Sequence, residues 1–411
     1  MPFASLGLCQ PLQAAVAEQG YTEPTPVQAA AISSILRGED VWACAQTGSG
    51  KTAAFVLPLL QLLAAQAPES PRPLRALILV PTHELALQIG RTIDLLGRLL
   101  PVRLKTVVAV GGVSINVQML ALRGGADLVV ATPGRLLDLV DHNALHLSAV
   151  EHLVLDEADR MLSLGFSDEL ARILALLPGR RQNLLFSATF PPAVRTLAQD
   201  LLRDPTRIEI APSTLLAETV IEQRVIEVDV GQRTPLLRHL LQVHGWTRVL
   251  VFVASRYGAD HVASKLERTG IAVARLHGDL SHGARMNALA DFAASRVRVL
   301  VATDVAARGL DIAQLPVVVN YDLPRSAVDY LHRVGRTGRA GETGVAVSFV
   351  SADTDAHFRL IEKRHHLSLE RERIEGFEPT ELTVPAGDPH GGVKGKRMSK
   401  KDKLRQGQAK A

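Results

Sequence analysis

The apolar positions of this chain fall into short continuous runs separated by stretches long enough for a helix. In the first half the runs are Val41-Trp42-Ala43-Cys44, Ala76-Leu77-Ile78-Leu79-Val80, Leu128-Val129-Val130-Ala131, Leu153-Val154-Leu155 and Leu184-Leu185-Phe186. Runs that are apolar throughout, alternating with helical segments, predict strands of a parallel sheet covered on both faces. The pattern pauses over residues 205–222, where Pro205 and Pro212 interrupt and no period is visible. It resumes with Val249 to Val253, Ala272-Val273-Ala274, Val297 to Val301, Val317-Val318-Val319 and Val345 to Val350. Two consecutive doubly wound α/β domains follow, at 1–208 and 223–378, with a linker over 209–222. A weak echo, Leu128-Val129-Val130-Ala131-Thr132 against Val299-Leu300-Val301-Ala302-Thr303, supports relatedness of the halves. From residue 379 to 411 Pro, Gly, Lys and Arg replace the periodic pattern, which predicts a disordered basic tail.

With 411 residues, 47% hydrophobic and 21% charged, the chain has apolar mass for full-sized cores, which argues against a disordered chain or a small stapled scaffold. Cys9 and Cys44 are its only cysteines, so neither a disulfide framework nor a cysteine-based zinc site can be built, and a reducing, cytoplasmic setting is expected. The segment MPFASLGLCQ has no basic flank ahead of an apolar stretch, and no apolar run approaches the ~20 residues that cross a bilayer. Secretion and membrane spanning are therefore not expected. The net charge of +4 divides unevenly: residues 394–411 carry eight Lys or Arg against Asp402, a local +7 that leaves the rest at −3. A polyanion partner of the body must then be held by local features.

Candidate chemistry begins at Ala45-Gln46-Thr47-Gly48-Ser49-Gly50-Lys51-Thr52, between a predicted strand and a predicted helix. Its glycines let backbone N–H groups wrap a phosphate chain, Lys51 can reach the β- and γ-phosphates, and the Thr52 hydroxyl suits Mg²⁺. Ala45 stands where such loops usually start with glycine, and the alternative is a glycine-rich turn without a ligand. Asp156-Glu157-Ala158-Asp159 directly follows an apolar strand, where one carboxylate can hold Mg²⁺ opposite Thr52 and the next can polarise an attacking water. Taken alone it reads as an ordinary solvated turn; downstream of a P-loop the functional reading is preferred. The tract His332-Arg333-Val334-Gly335-Arg336-Thr337-Gly338-Arg339 is either a charged surface patch or a source of guanidinium forks for a triphosphate on the other domain.

In this order and spacing, the motifs resemble those of the DEAD-box RNA helicases of superfamily 2, over about residues 3 to 350. Phe3, Gly20-Tyr21 and Pro24-Thr25-Pro26-Val27-Gln28 resemble the adenine-reading Q motif, Ser187-Ala188-Thr189 the motif that couples nucleotide state to domain closure, and Ala302-Thr303-Asp304 through Arg308-Gly309-Leu310-Asp311 motif V. The tracts Gly111 to Asn116, Arg123-Gly124-Gly125 and Asp156 to Phe166 look most like the bacterial RhlE branch. The resemblance implies two tandem RecA-like domains that close on ATP and Mg²⁺. It implies that Gln28 bonds the adenine edge and Tyr21 covers the base, that Gly309 and Asp311 lie at the nucleotide with Asp311 at the ribose, and that Arg336 and Arg339 are arginine fingers. His332 is expected beside Asp159, Ser187 and Thr189, linking the domains. RNA contacts are implied for Pro81, Thr82, Gly111, Gly112, Thr132, Pro133, Gly134, Arg135, Ser255, Arg256, His277, Gly278, Arg285, Thr303 and Asp304. Most of these offer backbone amides or small hydroxyls, which suit a sugar-phosphate chain and cannot read sequence. The chain departs from the family at His83 and His282, where arginine and glutamine are usual.

The expected function is RNA-stimulated ATP hydrolysis coupled to local separation of short duplexes or remodelling of RNA–protein complexes. An ATP-gated RNA clamp needs the same closed state and stays open beside it. A DNA-translocating helicase of the same superfamily is the third reading. Ribosomal or mRNA-decay complexes are the expected partners, with no membrane.

Overall fold

The computed structural model describes residues 2–45, 48–67, 69–210, 221–307, 315–338 and 343–380. Gln46, Thr47, Arg308, Gly309, Leu310, Asp311, Arg339, most of the expected linker and the basic tail lie outside the described residues.

Two seven-stranded, wholly parallel sheets with flanking helices form tandem RecA-like domains. The first contains β1 (Val41–Cys44), β2 (Ala76–Leu79), β3 (Thr106–Ala109), β4 (Leu128–Ala131), β5 (His152–Asp156), β6 (Gln182–Ser187) and β7 (Thr206–Glu209), in the order β3-β4-β2-β5-β6-β1-β7. The second contains β8 (Ile221–Glu227), β9 (Val249–Val253), β10 (Val273–Leu276), β11 (Val299–Thr303), β12 (Val317–Asn320), β13 (Gly344–Val350) and the two-residue β14 (Arg371–Glu372), in the order β10-β11-β9-β12-β13-β8-β14. Counted from each domain's own first strand, the two orders are identical. The sequence echo therefore has a structural basis: β4 and β11 are both fourth strands in equivalent places.

Why central strands are apolar at every position is visible in the cores. Successive side chains of a strand point to opposite faces, and in β2 Ala76 and Ile78 enter one core while Leu77 and Leu79 enter the other. In β9 Val249, Val251 and Val253 likewise separate from Leu250 and Phe252. Burying each such Leu or Val contributes roughly 1.5–3 kcal/mol, so a polar substitution at any position of β2 or β9 would disrupt a core.

The pause in the pattern over 205–222 is not all linker. Thr206–Glu209 is an edge strand paired with β1, from Val41 opposite Thr206 to Cys44 opposite Glu209. Ile221 already begins β8, opposite Gly344. The edge position explains the weak signal of β7, since only Ile208 of its four residues is buried.

Candidate functional site

Carboxyl ends of the strands divide the candidate residues into two groups. In the first domain the P-loop follows β1, Asp156 closes β5 and Ser187 closes β6, so these three share the half of the sheet that holds β5-β6-β1. Pro81-Thr82 follow β2, Gly111-Gly112 follow β3 and Thr132 follows β4, on the other half. The second domain repeats the latter set: Ser255-Arg256 follow β9, His277-Gly278 follow β10, and Thr303-Asp304 end β11 and open the next helix.

At the P-loop, Gly48 and Gly50 have φ of 85° and 90°, the left-handed region that a side chain disfavours. A Cβ on Gly50 would also lie 2.4 Å from Gln28 Nε2. Lys51 opens the helix Lys51–Ala64, is buried, and donates from Nζ to the Ala45 carbonyl at 2.9 Å. Gln28 is buried and doubly engaged: Oε1 accepts from Thr25 N at 3.0 Å, and Nε2 donates to the Gly50 carbonyl at 3.1 Å. It closes a capping box on the helix Pro26–Leu36, so one N–H and one lone pair remain for a base. Tyr21, seven residues upstream, is exposed.

Asp156 is buried, and Oδ1 accepts from the Glu157 amide at 2.9 Å. Burial pushes its carboxyl up to about 6, against the opposing pull of the Lys51 charge. Glu157 has φ 53° and ψ 50°, a left-handed conformation for a non-glycine residue at the N-cap of Ala158–Ser163. Such strain costs of order 1–3 kcal/mol and is concentrated at functional sites. Asp159 Oδ2 accepts from Thr189 N at 3.1 Å and Thr189 Oγ1 at 2.6 Å. Ser187 Oγ accepts from the Asp159 amide at 3.2 Å and donates to the Thr189 carbonyl at 2.8 Å. The acidic tetrapeptide and the Ser-Ala-Thr strand end are thus one hydrogen-bonded unit.

The second domain meets this unit. Arg160 Nη1 lies 3.2 Å from Asp329 Oδ1 across the domains. His332 is held down to about 4, first by burial and then by the charge of Arg160, with Arg336 adding to it and Asp159 and Asp329 opposing. Its Nδ1 is buried with no hydrogen-bond partner among the described residues. Arg336 is buried in the same region. A second cross-domain ion pair joins Arg285 to Glu84. Arg333 grips Asp304 through Nε and Nη2 at 2.6 and 2.7 Å, bonds Asn320 Oδ1 at 3.1 Å, and lies 4.8 Å over the Phe252 ring. The Asp304 carboxylate, expected at RNA, is therefore engaged within the protein.

On the opposite half of each sheet the candidates are small and open. Thr82 and Ser255 cap their helices, accepting from Leu85 N at 3.3 Å and Gly258 N at 3.0 Å. Pro133 opens the helix that follows Thr132. A Cβ on Gly111, Gly112, Gly134 or Gly278 would meet nothing within 4 Å, so a chain can approach that backbone closely. Arg135 does not face outward as a free cation: Nη1 donates to the Val113 carbonyl at 2.7 Å. Gln118 exchanges two 3.0 Å bonds with the backbone of Val110, and together they fix the Gly111-Gly112 turn. His277 is buried, with Nε2 3.2 Å from Asp260 Oδ1.

Known protein families match both halves of this arrangement. A DEAD/DEAH box helicase model matches residues 25–197, and a helicase conserved C-terminal domain model matches 232–341. The chain is 41% identical over 350 residues to the ATP-dependent rRNA helicase rrp3 of Sclerotinia sclerotiorum, covering 85% of this chain and 71% of that protein. With the DEAD-box ATP-dependent RNA helicase CshA of Bacillus subtilis it shares 37% identity, over 92% of this chain and 74% of that one. The chain belongs to the DEAD-box ATP-dependent RNA helicase family.

Another relative, the ATP-dependent RNA helicase DeaD of Mycobacterium tuberculosis, is 39% identical over 92% of this chain, which spans 65% of that protein's length. Among solved structures, S. cerevisiae Dbp5 matches in several complexes. Bound to RNA and ADP BeF3 it gives a TM-score of 0.79 at 32% identity, covering 91% of this chain and 95% of that one. For a point variant of Dbp5 bound to Nup159, a Gle1 variant, IP6 and ADP, the TM-score is 0.61 at 30% identity, with 92% and 96% covered. With the same variant bound to the Gle1 variant and IP6 it is 0.73 at 31% identity. No helix of the described residues is long and apolar enough to cross a membrane.

Sequence reasoning missed Gln118, Glu84, Arg160, Asp329 and the engagement of Arg333. Arg160 adjoins the acidic tetrapeptide and Arg333 lies within the arginine tract. For Gln118 and Glu84 no local pattern gives the partner, which is created by the fold.

Proposed function

We propose that this protein is an RNA-stimulated ATPase that separates short RNA duplexes and remodels RNA–protein complexes by ATP-driven closure of its two RecA-like domains. The observation that carries the reading is His332 of the second domain, partly buried with its Nδ1 enclosed, which feels the charges of Asp159 and Arg160 of the first domain, with buried Arg336 alongside. Closure thereby brings an arginine to the domain that holds the P-loop and the acidic tetrapeptide. In this reading Lys51 and the Gly48–Gly50 turn bind the phosphate chain, Gln28 and Tyr21 hold the adenine, and Glu157 orients the attacking water. Arg336 and Arg339 stabilise charge on the transferred phosphoryl group, and Gly309 and Asp311 complete the nucleotide site.

Thr52 and Asp156 would hold Mg²⁺. An all-oxygen donor pair suits that ion, and a buried carboxyl pushed up to about 6 is one that a cation would ionise. The ion supplies neutralisation of phosphate charge when bound. RNA lies along the glycines and capped helix starts of both domains, held by its sugar-phosphate chain. The reading extends to the RhlE branch on the tracts named above, to ribosomal or mRNA-decay complexes as partners, and to the cytoplasm, which the free cysteines Cys9 and Cys44 suit.

The deciding experiment measures ATP turnover with RNA, with DNA of the same sequence, and with neither, alongside strand separation of a short RNA duplex. Stimulation by RNA alone, with ATP-dependent separation, is expected. Equal stimulation by DNA would overturn the RNA assignment. RNA-stimulated turnover without strand separation would leave an ATP-gated clamp.

A further inference from the structure

We infer that Tyr257 is a stacking platform for one nucleobase of the single-stranded RNA held by the core. This deepens the RNA reading above and rests on it. Among the described residues Tyr257 is the most exposed large apolar side chain, at 77%. Aromatic residues make up only 4% of the chain, and most of the others are packed in cores, so leaving this ring in water needs a reason. The ring has one aromatic neighbour: it stacks on His261, itself exposed and four residues on along the helix Arg256–Glu267, with centroids 5.7 Å apart and planes 17° from parallel. His261 backs one face of the ring, and the exposure leaves the other open.

Position says what that face would meet. The helix begins at the carboxyl end of β9, capped by Ser255, and Tyr257 is its second residue. Its neighbouring ridge, Arg256 and Asp260, is tied to the next candidate RNA segment by the Arg256–Asp279 ion pair and by the 3.2 Å contact of Asp260 with His277. Gly278 between them has open space above its Cα. A strand bound there through its sugar-phosphate chain turns its bases outward, and an aromatic face at the border of the groove receives one of them. The ring is surrounded on its own helix by Arg256, Asp260 and His261, so it is not part of the contiguous apolar patch that a protein partner buries. Stacking uses the π-face common to all bases, so this platform adds affinity and no sequence preference.

The test uses the full chain and a single-stranded oligonucleotide carrying one abasic site, moved along its length. Loss of base–aromatic stacking weakens binding by about 5-fold or more. Tyr257→Ala should raise the RNA concentration for half-maximal ATPase by that factor, a larger change than in the rate at saturation, and Tyr257→Phe and Tyr257→Trp should restore it. The unmodified protein should lose affinity most at one abasic position, and Tyr257→Ala should be insensitive there. An unchanged half-saturation point in Tyr257→Ala, an equal response of both proteins to every abasic site, or a Tyr257→Phe defect as large as that of Ala would each overturn the inference. Failure of the unmodified protein to bind RNA or respond to it would instead overturn the proposed function.

Discussion

The two domains share one strand order but treat the junction after their first strand in opposite ways. In the first domain that strand leads into the P-loop and then Lys51, whose ammonium donates to a backbone carbonyl of the loop itself, that of Ala45. In the second, β8 leads through a single turn of 3-10 helix to Arg233, also a buried cation at the first position of a helix. There the two terminal nitrogens are held by protein side chains: Nη1 donates to Asp322 Oδ1 at 2.8 Å and Nη2 to Ser351 Oγ at 2.7 Å. Asp322 lies just beyond β12 and Ser351 just beyond β13, the places that Asp156 and Ser187 hold at the ends of β5 and β6. The same three corners of one fold thus carry the proposed nucleotide-binding residues in one domain and an Arg-Asp-Ser side-chain cluster in the other. A buried cation is a structural element when its partners are protein side chains; Lys51, whose partner is a backbone carbonyl, is the one proposed to exchange that partner for a ligand.

The comparison breaks most readily at those two cations. Lys51→Ala should abolish ATP turnover with little loss of stability, whereas Arg233→Ala should leave Asp322 and Ser351 without their partner. Removing one member of a buried pair costs about 3–5 kcal/mol, and because Asp322 is 26% exposed about 2–3 kcal/mol is the expected loss. Urea unfolding and ATPase assays of both proteins check this. Equal destabilisation by the two substitutions would end the distinction.

Next in size is Arg336, the proposed arginine finger from the second domain. Arg336→Ala should lower RNA-stimulated turnover by ~10³-fold, the scale of arginine-finger loss in phosphoryl transfer, while nucleotide binding without RNA changes little. Nucleotide titration and single-turnover kinetics separate the two quantities. A variant with a normal RNA-stimulated rate would remove Arg336 from the chemistry.

How much of this was legible in the sequence follows burial. Central strands such as β2, β4 and β9 are apolar at every position and could be read directly, and the P-loop, acidic tetrapeptide and arginine tract are contiguous, so their chemistry travels with their spacing. β7 is a half-exposed edge strand and carries no run to detect, whereas β3, also at an edge, holds the apolar run Val107-Val108-Ala109-Val110, which was legible and which sequence reasoning missed. The roles of Gln118, Arg135 and Asp304 were hidden for a different reason, since each is set by a partner distant in sequence or on another element. Asp304 shows the consequence. It was expected at RNA, yet its carboxylate is held by Arg333, so Asp304→Asn should act first on the fold of the second domain. A loss of about 2–3 kcal/mol in its unfolding free energy is expected, with RNA half-saturation changing less than stability. The reverse ranking would restore Asp304 as a direct RNA contact.

The smallest effect concerns the surface where the domains meet, and it is a pH dependence. In the closed arrangement His332 is held down to about 4 by burial, with Arg160 and Arg336 reinforcing it and Asp159 and Asp329 opposing. Opened to solvent, an imidazole returns to its ordinary value near 6.5. Below that value the open state binds a proton that the closed state must release, so closure is fully favoured above about 6.5 and weakens as pH falls toward about 4. The slope approaches one proton per closure event, which is at most about tenfold in the closure equilibrium per pH unit. RNA affinity in the presence of a non-hydrolysable ATP analogue, measured from about pH 7.5 down to about 5.5, should therefore fall about fivefold to tenfold, and His332→Gln should flatten the profile. The Gln variant retains a neutral, hydrogen-bonding side chain, so a lower but pH-independent affinity isolates the titration from the packing. If His332→Gln leaves the slope unchanged, the proton is taken up elsewhere, and the interface joins the domains without sensing pH through this histidine.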